Sequence, residues 1–119
     1  MKPLTTKKIT ALIVDALEEL KAFNIQVLDV TSLTSITDVM IIASGRSNRQ
    51  VKSLAEKVQE QLKAAGLTVL GIEGETEAEW VLVDAGDAVV HIMQPATRTY
   101  YQLEKLWDAE TAASKNTTT

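Results

Sequence analysis

One histidine, His91, and two aspartates, Asp84 and Asp87, are the first residues of this 119-residue chain that could do chemistry. His91 sits in the apolar run DAVVHIM, which reads as a strand. The chain has no second histidine and no cysteine, so neither a metal shell nor a thiol nucleophile has residues to draw on. A histidine satisfied by a neighbour in the sheet is the simpler reading. Asp84 and Asp87 could form an acid–base pair, but at a hairpin tip nothing would split their pKa values. The four glutamates of EGETEAE (Glu73–Glu79) are neighbours in one loop, with no histidine or aspartate at ligand spacing. They read as a solvated turn. Catalytic signatures such as G-x-S-x-G, H-E-x-x-H and the Walker loop do not occur.

A second stretch, SGRSNRQ (Ser44–Gln50), carries a glycine and a serine where a strand enters a helix. Such a turn can hold phosphate on its backbone N–H groups. Nucleotidyltransferases open their sites this way and add a D-x-D or D-x-E pair on the next strand for metal-bound phosphoryl transfer. Here the next strand reads as Leu67–Ile72 (LTVLGI), which has no carboxylate. A nucleotidyltransferase-like, nucleotide-binding enzyme therefore stands as the alternative, lacking its metal pair. Arg46, Arg49 and Lys52 crowd the first helical turn, where each exposed cation opposes the helix dipole by about 0.3–1 kcal/mol. Either they meet an anion, or their long side chains swing into water or pair with Glu56 at helical spacing from Lys52.

The elements that position these residues follow from periodicity. Residues 5–22 space their apolar positions as one helical face, with Thr5 or Thr6 as cap and Asn24 as a left-handed stop. Ile25–Val30 and Asp38–Ala43 read as strands. The second is continuously apolar, which places it inside the sheet. Between them Thr31–Thr37 is a polar linker anchored by Leu33 and Ile36. Ser47 and Gln50 have capping-box spacing for a helix that runs to about Ala65 and closes at Gly66.

Glu79–Asp84 and Asp87–Met93 form a hairpin about Ala85-Gly86. That turn sets Trp80 opposite His91, Leu82 opposite Val89 and Asp84 opposite Asp87. Alternation then puts Trp80, Leu82, Val89 and His91 on one face with the aspartates at its tip. Val81, Val83, Ala88, Val90 and Ile92 make a smooth aliphatic face opposite. Pro95 opens a last helix. It gathers Tyr100, Leu103, Leu106 and Trp107 on one side, a core-facing set, and sends Arg98, Tyr101 and Lys105 elsewhere. Residues 1–108 read as one domain and 109–119 as a polar tail.

Twelve basic and sixteen acidic side chains give a net charge of −4. That balance opposes a protein that draws its affinity from nucleic-acid phosphates and suits a basic protein partner. The lysine-rich start is interrupted by Asp15, Glu18 and Glu19, and no run reaches the length of a membrane span. A cytoplasmic location without membrane attachment is expected.

Four segments together closely resemble one family. They are DVMIIASGRSNRQV (Asp38–Val51), the Gly71–Gly74 turn with its glutamates, AEWVLVDAGDAVVH (Ala78–His91) and YYQLEKLW (Tyr100–Trp107). They are similar to the ribosomal silencing factor, or Iojap-like, family over roughly residues 5–108. Val39 and Met40 stand where many members carry an aromatic, and Gln94 where many carry an aromatic or histidine.

The resemblance implies an α/β (α+β) fold. It has a mixed sheet of about five strands with flanking helices, like a nucleotidyltransferase without its catalytic carboxylates. It also implies a non-enzymatic protein with no cofactor. Such a protein would bind a large-subunit ribosomal protein, number fourteen, and block subunit joining when nutrients are scarce or growth stops. A homodimer is a further expectation. Carried over by position, Trp80, Leu82, Asp84, Asp87, Val89 and His91 become the expected docking residues. Tyr101 and Lys105 stand behind them, and Arg46 and Arg49 could touch ribosomal RNA.

Overall fold

The computed structural model describes residues 5–102 and 105. The two helices that cover the sheet form where the apolar spacing requires them. α1 (Thr6–Glu19) starts at Thr5, whose Oγ1 accepts from the Lys8 N–H at 3.2 Å, and buries Ile9, Ile13, Ala16 and Leu17. It stops earlier than expected. Lys21, not Asn24, is the left-handed residue that ends the helix (φ 63°). The Lys21 N–H bonds to the Glu18 carbonyl and the Ala22 N–H to that of Leu17. This pair of bonds satisfies carbonyls that a helix end leaves open.

α2 (Asn48–Ala64) buries Val51, Leu54, Ala55, Val58 and Leu62 and closes on Gly66 with the same pair of bonds. Its cap is Ser47, whose Oγ accepts from the Gln50 N–H at 3.1 Å. Ser47→Ala is expected to cost about 1 kcal/mol, read as a lower denaturation midpoint with unchanged slope.

Five strands form one mixed sheet in the order β1-β2-β5-β4-β3. They are β1 (Phe23–Asp29), β2 (Val39–Ser44), β3 (Gly71–Glu73), β4 (Trp80–Asp84) and β5 (Ala88–Met93). β2 and β5 run parallel, and every other neighbouring pair is antiparallel. β2 lies inside the sheet, as its unbroken apolar run requires.

Three strand expectations change. Asn24 is not a helix stop. It lies within β1 at φ 51°, where a bulge shifts the register between Phe23 and Gln26. β3 begins at Gly71 rather than Leu67, because the Leu67 N–H is used to close α2 on the Leu62 carbonyl. It therefore contains one carboxylate, the exposed Glu73. The linker is pinned by Val30 and Thr37, both buried, while Leu33 and Ile36 are 37% and 85% exposed.

The hairpin turn also sits one residue further along. Ala85 N–H bonds to the Ala88 carbonyl at 2.9 Å, so the loop is Gly86-Asp87. Gly86 (φ 88°) takes the first central position, where a type II′ turn needs a positive φ. Leu82 therefore faces His91 and Trp80 faces Met93, a displacement of two residues from the expected register. A shift of two keeps every side chain on its face.

α1 and α2 pack together on the face that carries Ile41, Ala43, Val81, Val83, Val90 and Ile92, forming the main core. The opposite face holds a smaller cluster of Val30, Met40, Ile42 and Met93, with Leu28 and Trp80 against it. Within the described residues α3 (Pro95–Tyr101) ends at Gln102, which is left-handed at φ 47°. The expected contribution of Leu103, Leu106 and Trp107, the boundary at 108 and the 109–119 tail lie outside the described residues. Among the described residues no helix is long and apolar enough to cross a membrane.

Candidate functional site

The face of the sheet turned away from α1 and α2 is the one that carries the distinctive side chains. β4 contributes Trp80, Leu82 and Asp84. β5 contributes Val89 and His91, and β1 adds Leu28, aligned with Met40 of β2. Trp80, Leu82, Val89 and Leu28 are half-buried, unlike the fully buried aliphatics opposite. A partly covered apolar strip of this kind offers area that a contact with another protein can bury.

His91 is only 6% exposed. Its Nδ1 accepts from the Trp80 indole Nε1–H at 2.9 Å. Nδ1 is thus the unprotonated nitrogen of a neutral imidazole. Burial drives its pKa from the ordinary 6.5 down to about 4. His91 is the sheet-satisfied histidine that the residue pattern favours, held inside the strip rather than at its surface. Tyr101 joins the strip from α3, its ring 4.9 Å from that of Trp80 and tilted by 51°. This reverses the assignment of helix faces. Tyr100, expected to face the core, is 81% exposed, and its ring stands nearly perpendicular to that of Tyr101, 4.9 Å away.

The remaining expected residues separate from this strip. Asp84 lies on the face, but its Oδ1 accepts from the Gly86 N–H at 2.9 Å and so shapes the turn. Asp87 leaves the strand altogether. It is exposed at the turn, and its carbonyl accepts from Asp38 and Val39 at 3.0 and 3.1 Å, tying the hairpin to β2. Lys105 lines a different cleft, with Asn24, Ser44 and Gln102. Arg46 and Arg49 are exposed at the start of α2, the helix on the opposite face, and the Arg46 guanidinium lies 4.6 Å above the Phe23 ring.

Residue patterns gave no sign of Arg98, which is 8% exposed. Its Nη1 donates to Ser44 Oγ at 2.9 Å and to the Asn24 carbonyl that the β1 bulge leaves outside the ladder. Arg98 thereby ties α3 to the first two strands and fixes where Tyr101 can reach. A lone arginine in a short polar helix carries no periodic signal of burial.

The phosphate-cradle reading of Ser44–Ser47 meets two obstacles. Gln50 Oε1 already accepts from the Arg46 N–H at 2.6 Å, while its Nε2 holds the Leu20 and Lys21 carbonyls. In a regular capping box that side chain would reach Ser47 instead. Gly45 is buried, and a Cβ there would stand 2.9 Å from Val51 Cγ2. The glycine thus permits close packing of β2 on α2. Among the described residues no group of three or more histidines, aspartates or glutamates is placed to hold a metal ion.

The family model described as "Ribosomal silencing factor during starvation" matches residues 3–119. The ribosomal silencing factor of Chromobacterium violaceum is 52% identical over 104 residues, 87% of this chain and 85% of that protein. That of Haemophilus influenzae is 46% identical, over 80% and 93% respectively. A crystal structure of a Chromobacterium violaceum protein superposes with a TM-score of 0.86 at 52% identity, covering 87% of each chain. With the matched segments spanning the hairpin, its apolar strip and the helix that borders it, the chain belongs to the ribosomal silencing factor family.

Proposed function

We propose that this protein is a cytoplasmic, non-enzymatic regulator of translation that acts by steric block. It binds the large ribosomal subunit through ribosomal protein number fourteen, on the surface that meets the small subunit, and keeps the two subunits apart in starvation or stationary phase. The observation that carries this reading is the half-buried strip of Leu82, Val89, Leu28 and Trp80 on the sheet face opposite α1 and α2. Such a strip supplies the apolar centre of an interface, and the net charge of −4 favours a basic partner at its rim. Contact with ribosomal RNA through Arg46 or Arg49 and a homodimer remain subsidiary to this reading.

The test is a subunit-joining assay with purified subunits. The wild-type protein is expected to sediment with large subunits and to lower the yield of joined ribosomes. Leu82→Asp places a charge in the strip without touching the main core. It is expected to lose at least about tenfold in affinity while keeping the wild-type circular dichroism. A Leu82→Asp protein that blocks joining as well as wild type would put the contact on another surface.

A further inference from the structure

Trp80 and His91 are not opposite one another in the ladder, since Trp80 pairs with Met93 and His91 with Leu82. They are diagonal neighbours on one face, a distance that long side chains can bridge. The bridge is made by the 2.9 Å hydrogen bond from Nε1 to Nδ1, with ring centroids 5.8 Å apart and planes 53° apart. From the α3 side Tyr101 stands 4.9 Å from the same indole. The indole is thus fixed by a directional bond inside the sheet and by a ring beside it. An imidazole only 6% exposed has almost no surface to offer a protein partner, so His91 acts on docking through its neighbours, and Trp80 is the one it holds by a hydrogen bond.

We propose that His91 is a positioning residue, whose Nδ1 sets the orientation in which the Trp80 indole, with Tyr101 against it, meets the protein partner. The proposal rests on the reading of this face as the ribosome-docking surface. Holding a flat side chain in its bound orientation beforehand removes an ordering cost from association. The hydrogen bond also decides which edge of the indole turns inward, and therefore which edge a partner meets.

Affinity of the full chain for purified large subunits is measured beside the indole N–H resonance of Trp80, assigned with Trp107→Phe. His91→Leu removes the acceptor and keeps the volume. It is expected to weaken binding about five- to tenfold and to shift the indole resonance to that of an unbonded N–H. His91→Asn offers Oδ1 near the position of Nδ1 and is expected to restore both within about twofold. In a Trp80→Phe background, which lacks the donor, His91→Leu is expected to change affinity no further.

A His91→Leu protein that binds as wild type while its indole bond is lost overturns the positioning role alone. So does an equal loss in the Trp80→Phe background. Wild-type protein that does not bind large subunits overturns the docking reading and the proposal with it. If His91→Leu fails to fold, Trp80→Phe carries the test. It is expected to bind about five- to tenfold more weakly, and to be indifferent to His91→Asn. Wild-type affinity in Trp80→Phe overturns the proposal.

Discussion

A single methyl group at Gly74 is expected to lower stability by about 3 kcal/mol or more, roughly 10 °C in melting temperature. Gly74 stands at φ 86° in the turn between β3 and β4, and its carbonyl accepts from the Ala78 N–H at 2.9 Å. A Cβ built there would lie 2.1 Å from the backbone oxygen of Trp80. Because that oxygen belongs to the first residue of β4, relief requires the strand itself to move. The pairing of Trp80 with Met93 and the position of the indole would move with it.

Gly66 provides the matched control. Its φ of 85° imposes the same left-handed strain, but nothing lies within 4 Å of the added carbon. Gly66→Ala is therefore expected to cost about 1 kcal/mol, the backbone share alone. Urea denaturation of the two variants separates strain from collision, and equal losses would mean that the turn relaxes freely. Gly74→Ala should also weaken docking more than its stability alone explains, since it displaces the residue at the centre of the strip.

The sequence made the faces of this protein legible better than it made its turns. The period-two alternation of Val81, Val83, Val90 and Ile92 against Trp80, Leu82, Val89 and His91 survives an error of two in register. Each side chain keeps its face under a shift of two. The turn itself was misplaced because Gly86 satisfies a positive φ equally well as the first or the second central residue, and alternation does not choose between them. The bond that the Gly86 N–H donates to Asp84 Oδ1 does, but it involves a side chain whose role cannot be read from spacing.

Helix ends were harder. Lys21 adopts the left-handed conformation that favours glycine or asparagine, while the nearby Asn24 uses the same conformation for a bulge inside β1. Residue type alone does not say which of the two ends the helix, and the Arg98 bond to the Asn24 carbonyl belongs to the contacts that hold the bulge. The same contacts explain the misassigned tyrosines. Once Arg98 is buried against β1 and β2, α3 is oriented so that Tyr101 reaches Trp80 and Tyr100 turns outward. Resemblance to a family singled out the hairpin as the expected docking segment, but only the hydrogen bond and burial distinguish the half-buried Trp80 from the buried His91 beneath it.

Acid is expected to remove about 3 kcal/mol of stability between pH 6.5 and pH 4 through His91 alone. Its imidazole ionises at about 4 in the folded protein, against 6.5 when exposed, because burial disfavours the cation. The indole N–H aimed at Nδ1 acts in the same direction, since an imidazolium has no lone pair left to accept it. As pH falls through 6.5 the unfolded chain gains a proton that the folded chain refuses, so stability declines until the folded pKa is reached and then levels off. Asp29 acts in a lower window. Its carboxyl is held below the usual value by the Thr31 hydroxyl first and the Thr31 N–H second, so its contribution is lost only as pH drops beneath about 3.8. Urea denaturation of wild type and His91→Asn from pH 7 to pH 4 isolates the histidine. The difference in stability between the two should shift in favour of the variant by most of that amount. If both proteins lose stability in parallel, the imidazole is not the group that resists protonation, and the bond that holds Trp80 does not depend on its neutral form.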